Sequence, residues 1–203
     1  MTRVPAVDMD ALTELFNVGL HRAAASLSEV TSQRIVVELP RLWLLPIRDI
    51  ELRLRELLEG ELATVHQVFS GAVAGDAVLL LEQEKAASLT SLMTDGDAGE
   101  GGRLDESARE VLAEVGNIVL GACLSGFGDM LNLKVTFSVP SIHVDSLGAV
   151  LQALAVESDE DQFAVIAATR FRLSTLAVEG YLLIAVGAHS LERIGIALSE
   201  QGG

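Results

Sequence analysis

Glu14 and Asn17 stand three residues apart in the apolar stretch ELFNVGLHRA, and Glu114 and Asn117 stand three apart in EVGNIVLGAC, 100 positions further on. A carboxylate can hold a cationic group through charge-assisted hydrogen bonds. A carboxamide donates and accepts, so it can orient a water molecule. The set offers no obvious nucleophile of its own, which leaves recognition and positioning as its chemistry. Two carboxylates with two amides are also compatible with metal binding, but they specify no particular ion.

What positions these groups is a helix in each case. With about 100° of rotation per residue, Asp10, Glu14 and Asn17 fall within roughly 60° of one another, as do Glu110, Glu114 and Asn117. The opposite side carries Leu12, Phe16, Gly19, Ala23 and Leu27 in the first segment, and Leu112, Val115, Val119 and Cys123 in the second. Each helix therefore buries one face and turns an acid–acid–amide stripe outward. On one helix, such a stripe is most simply a solvated surface. Asparagine competes for the helix backbone, however, and here it is placed in mid-helix twice at matching positions. A local cost repeated in this way points to use.

The repeat extends beyond the pair. Segment 8–32 has helical periodicity with Asp8 or Asp10 as its cap, 34–40 is a β-branched strand closed by Pro40, and 64–82 gives two strands around AGD. A helix over 84–93 follows, and then a Gly/Asp linker. The same order returns as a helix over 105–131, a strand over 134–140, two strands over 163–187 and a helix over 189–198. Segment 49–60 fits either a short helix or an amphipathic strand, and 143–151 suggests a further short helix. The halves, about 8–94 and 104–200 around a linker at 95–103, form an internal repeat. The expected fold class is α+β with a pseudo-two-fold repeat: a central antiparallel sheet with two long site-bearing helices packed together on one face.

Composition narrows the partners. Hydrophobic residues make up 50% of the 203 and charged residues 21%, a composition that folds. The net charge of −15, with Lys85 and Lys134 the only lysines, argues against nucleic acid or an anionic membrane as the main partner. No apolar run approaches membrane-spanning length, and the N-terminus turns acidic at once, so membrane insertion is not expected and a cytoplasmic location is. Cys123 stands alone and reads as a small core residue.

With these residues placed, the sequence resembles the CheC/CheX/FliY family of chemotaxis phosphatases. The pattern Asp/Ser-x3-Glu-x2-Asn-x22-Pro reads here as Asp10, Glu14, Asn17 and Pro40, and again, with Glu at the first place, as Glu110, Glu114, Asn117 and Pro140. The resemblance covers nearly the whole chain as one domain over 1–203, and it is strongest to the two-site, CheC-like members. It implies hydrolysis of the aspartyl phosphate on a CheY-like response regulator. Glu14 and Glu114 would contact the regulator's lysine, while Asn17 and Asn117 would direct a water for in-line attack. It implies no cofactor on this chain, with Mg2+ supplied by the regulator. The prolines are expected to be structural. The alternative within the same resemblance is a non-catalytic scaffold for response regulators or for a CheD-like deamidase.

The two copies differ in ways that bear on the site. His21 follows Asn17 by one turn, where the second copy has Gly121, and Glu110 stands where the family shows Ser or Asp. A bulky ring at His21 hinders a docking partner, touches it, or is simply a partly exposed helix residue. Elsewhere, DGDAG at 95–99 lacks the length and terminal Glu of a calcium loop, and His66, His143 and His189 show no metal-ligand spacing. No phosphate-cradling glycine loop follows a strand, which disfavours nucleotide binding. The single Trp43 is expected to pack in the core or at a sheet edge.

Overall fold

In the computed structural model, residues 6–94, 103–132, 134–155, 162–173 and 176–201 are described. The expected linker over 95–103 therefore lies almost wholly outside them. Two long helices dominate: α1 (Met9–Thr31) and α4 (Glu106–Leu131). Asp8 caps α1 by accepting from the backbone N–H groups of Asp10 and Ala11, at 3.0 and 3.1 Å. Asp105 does the same for α4 through Ala108 N–H at 2.7 Å. These carboxylates satisfy amides that the helix itself leaves without partners and favourably oppose its dipole. Both helices stop at a left-handed residue, Ser32 (φ 54°) and Asn132 (φ 49°), again 100 positions apart.

Their buried faces match position for position. Leu12, Leu15, Phe16, Gly19, Leu20, Ala23 and Ala24 are buried in α1, and Leu112, Val115, Gly116, Val119, Leu120, Cys123 and Leu124 in α4. The helices meet where Gly19 faces Cys123. A Cβ on Gly19 would lie 2.7 Å from the Cys123 Cα, so only glycine permits this approach. Burial pushes the Cys123 thiol up to about 12, which keeps it protonated and inert, as a core residue should be.

Among the described residues the sheet has seven strands, all antiparallel: β1 (Ile35–Pro46), β2 (Glu61–Gly71), β3 (Gly75–Glu82), β4 (Val135–Phe137), β5 (Ser141–Ser146), β6 (Gln162–Leu173) and β7 (Leu176–Gly187). Their order is β1-β6-β7-β3-β2, with β4 and β5 pairing in turn along the outer edge of β2. Each half thus gives its leading strand to the other half's hairpin. At the centre Leu79 pairs with Leu182, flanked by Val78–Leu183 and Leu80–Tyr181. This pair marks the pseudo-two-fold axis.

Alternation along the central strands divides the core in two. Ala77, Leu79 and Leu81 face α1, α4 and the helices α3 (Gln83–Thr94) and α6 (Ala188–Gln201). Val78 and Leu80 face a smaller cluster containing Ile50 and Leu54 of α2 (Ile50–Leu57) and Leu147 and Val150 of α5 (Leu147–Ala155). Strands covered on both faces lose the apolar–polar alternation and become continuously apolar, as in AVLLL and YLLIAV. Segment 49–60 resolves as the helix α2, and the suggested helix near 143–151 begins at Leu147. Trp43 is half-buried on β1, between the guanidinium groups of Arg41 and Arg53 at 5.7 and 5.5 Å from its ring centre.

The prolines need a correction. Pro40 does not end its strand, because β1 runs on to Pro46 with a register shift between Glu38 and Arg41. Pro140 falls at the matching place, in the interruption that separates β4 from β5. Proline cannot donate to a ladder, so a strand tolerates it where the ladder is already broken.

Candidate functional site

The sheet and the buried faces of α1 and α4 fix which residues point outward. Asp10, Glu14 and His21 are exposed on α1, with Asn17 half-buried. Glu110, Glu114 and Asn117 are exposed on α4, and Gly121 borders open space, since a Cβ there would meet nothing within 4 Å. The eight residues form two stripes, one per helix, on the outer side of the layer that covers the main core. Among the described residues none of the four carboxylates of these stripes is in a salt bridge. They are available to a cation brought by another molecule. One ion pair, Arg22 to Asp129 at 2.9 Å, links α1 to α4 beyond the stripes and is largely solvated.

The two sites differ beneath the asparagines. On β2 the residues facing α4 are Ala63, Val65, Gln67 and Phe69, and Gln67 is only 3% exposed. Its Nε2 donates to the Ser138 carbonyl at 2.8 Å, and the same nitrogen lies 3.4 Å from the Asn117 Oδ1, a long hydrogen bond for its second proton. Among the described residues, its own Oε1 is buried without a partner. Strand pairing equates His66 with Ala168 and Phe69 with Phe171, because these face Ser141 and Arg41, and Phe137 and Val37, respectively. The counterpart of Gln67 is therefore Thr169. Thr169 is 1% exposed and donates to Gly180 O at 2.9 Å, within its own hairpin. Among the described residues, no hydrogen bond reaches the Asn17 side chain.

Seating differs as well. Phe16 fills the gap under α1, whereas its counterpart Gly116 lets α4 descend until a Cβ would be 2.4 Å from Val65 Cγ1. Ser28 ties α1 to the start of β1 by accepting Ile35 N–H at 3.0 Å, and Gly128 offers no such tie in α4. Val37 is accordingly 2% exposed and Phe137 36%.

Gln67 was not among the residues singled out from the sequence. The period-two pattern could have found it, as the one amide in an inward row of apolar residues. The histidines also gain a context. His66 Nε2 lies 2.7 Å from Asp76 Oδ1, and His66 and His143 share a cavity of about 130 Å3 with Asp145, under α5 on the other face of the sheet. His189 is elsewhere, at the start of α6. Among the described residues no group of three or more His, Cys, Asp and Glu has metal-binding geometry, and no helix is long and apolar enough to cross a membrane.

The fold and the paired stripes define a two-fold α+β protein with a duplicated Glu/Asn face. No protein-family model matches the sequence. The chain is 25% identical over 152 residues to the CheY-P phosphatase CheC of Bacillus subtilis, covering 70% of this chain and 69% of that protein. It is 22% identical over 139 residues to the flagellar motor switch phosphatase FliY of the same organism, spanning 68% of this chain and 36% of that protein. In structure it is similar to Thermotoga maritima FliY, with a TM-score of 0.77 at 17% identity over 95% of this chain and 96% of the other. The chain is CheC-like, with the fold of FliY.

Proposed function

We propose that this chain hydrolyses the aspartyl phosphate of a CheY-like response regulator. The observation that carries the reading is the duplicated outward face: Glu14 with Asn17 and Glu114 with Asn117, on helices whose buried residues repeat in the same register. The names of the relatives supply the reaction class.

Phosphoryl transfer from an acyl phosphate asks little covalent chemistry of the protein and much positioning. Water attacks phosphorus in line with the aspartyl oxygen, the P–O bond to that oxygen breaks, and the carboxylate leaves as phosphate departs. In this reading each Glu holds a lysine of the regulator, and each Asn enters the phosphorylation site to align the water. Mg2+ belongs to the regulator, and this chain contributes no cofactor. A helix stripe can do this because its groups are held by a rigid element and face solvent until the partner docks.

The test follows loss of phosphate from a panel of phosphorylated CheY-like regulators, with wild-type protein and with Asn17→Ala combined with Asn117→Ala. Wild type should accelerate the loss, and the double variant should lose roughly 10²-fold or more of that acceleration while keeping its fold. Undiminished activity in the double variant ends the mechanism. Binding by the wild type without any acceleration would make the protein a scaffold.

A further inference from the structure

We propose that Gln67 is the positioning residue for Asn117, making the site on α4 pre-organised and the site on α1 not. This rests on the reading of Asn117 as the amide that enters the regulator's site. Gln67 belongs to an inward row that is otherwise apolar, and its Oε1 has no partner among the described residues. A buried amide with an orphan oxygen is a standing cost, one that leucine at the same place would not incur. What the amide gains is direction. One Nε2 proton is held by Ser138 O, which fixes the plane of the group, and the other then points at Asn117 Oδ1.

With its carbonyl drawn inward, Asn117 turns its NH2 toward the docking surface. The contact polarises the carboxamide, which strengthens Asn117 as a donor to the water it aligns. Ser138 sits in the interruption between β4 and β5, so the break in the ladder supplies the free carbonyl that anchors Gln67. The α1 site lacks the device, because Thr169 spends its only proton on Gly180 O.

The experiment uses the full chain in an Asn17→Ala background, where only the α4 site can act, with a phosphorylated CheY-like regulator as substrate. Gln67→Leu should lower kcat roughly two- to threefold, the low end of a hydrogen bond's worth as befits so long a contact, and leave KM unchanged. Thermal stability should hold or rise, since Ser138 is exposed and water can take over its carbonyl. The side-chain NH2 of Asn117, followed by 1H–15N NMR, should keep two proton signals, because its amide C–N bond rotates slowly in either protein, but both should shift as the polarising contact is lost. In the opposite half, Thr169→Val in an Asn117→Ala background should leave turnover as it was.

Unchanged kcat and unchanged Asn117 NH2 signals in Gln67→Leu would overturn the proposal. If that variant does not fold, the wild-type spectrum decides alone: the absence of any through-space contact between the Gln67 NH2 and the Asn117 side chain overturns it. Should Asn117→Ala keep full activity in the Asn17→Ala background, the underlying phosphatase site is wrong. That outcome is distinct from a Gln67 failure, in which Asn117 still matters.

Discussion

Gly19 of α1 lies against the backbone of Cys123 in α4, with no room for even one methyl group between them. This contact sets the relative pose of the two site-bearing helices, so the geometry of both stripes depends on a residue that carries no chemistry. Gly19→Ala should destabilise the protein by about 1–3 kcal/mol through overpacking, read as a lower Tm. A variant as stable as wild type would show that the helices can move apart freely.

Gly116 plays the matching part between α4 and the sheet. Gly116→Ala should reduce both stability and turnover at the α4 site, because it lifts Asn117 away from Gln67. Adding Val65→Ala removes the two methyl groups that would lie 2.4 and 2.8 Å from the new Cβ and leaves only the Val65 Cβ, at 2.6 Å, to shift. The double variant should therefore lose less stability than the sum of the two single changes, measured by denaturant unfolding.

The sites should also be unequal because of their neighbours. His21 is exposed one turn from Asn17, whereas Gly121 leaves open surface beside Asn117. A ring that holds two backbones apart by about 1 Å can cost roughly 10²-fold in rate. Asn117→Ala should remove most turnover and Asn17→Ala little, and His21→Gly should raise what remains in the Asn117→Ala background. If Asn17→Ala is the more damaging change, His21 is a contact residue and the order of the sites is reversed.

Docking should separate from chemistry at the glutamates. Glu14→Gln with Glu114→Gln should weaken binding to the phosphorylated regulator about tenfold or more, by loss of charge-assisted contacts. The wild-type affinity should fall as salt is raised, and the variant's should fall less. Calorimetric titration at two ionic strengths measures both, and equal affinities would assign the glutamates another role.

Cys123 makes a pH-dependent contribution with a definite sign. Its pKa is raised in the folded state to about 12, against an ordinary value of 9.0, so the folded protein keeps the proton longer than the unfolded chain. Stability from this source is fully present below pH 9 and is lost as pH rises toward 12, by at most about 1.4 kcal/mol per pH unit. Comparing wild type with Cys123→Ala across pH 7–10 isolates it. Thiol reagents should reach Cys123 only on unfolding.

The sequence made the helices and their stripes legible because Asp10, Glu14 and Asn17 have counterparts in Glu110, Glu114 and Asn117, 100 positions on, and helical periodicity converts that directly into faces. Strand exchange was not legible. The apolar pattern of β1 is the same whether it pairs with the hairpin that follows it or with β6. Pro40 misled for a related reason: a missing backbone donor suits the end of a strand and a break within one equally well. Gln67 went unmarked because an amide in a strand looks like a solvent-facing residue until the inward row of Ala63, Val65 and Phe69 is aligned with it.

Exchange of leading strands has a consequence for how the chain is made. Val37 pairs with Phe171, so β1 leaves the ribosome long before the strand that completes it. During that interval α1, β1 and the β2–β3 hairpin exist with two sheet edges unclosed, and no local contact can close them. Closure awaits synthesis of β6 and β7, which makes the last step of folding a long-range one and exposes the early half to pairing with neighbouring nascent chains. Slowed elongation between the halves should lengthen that exposure and increase aggregation, even though the finished sequence is unchanged.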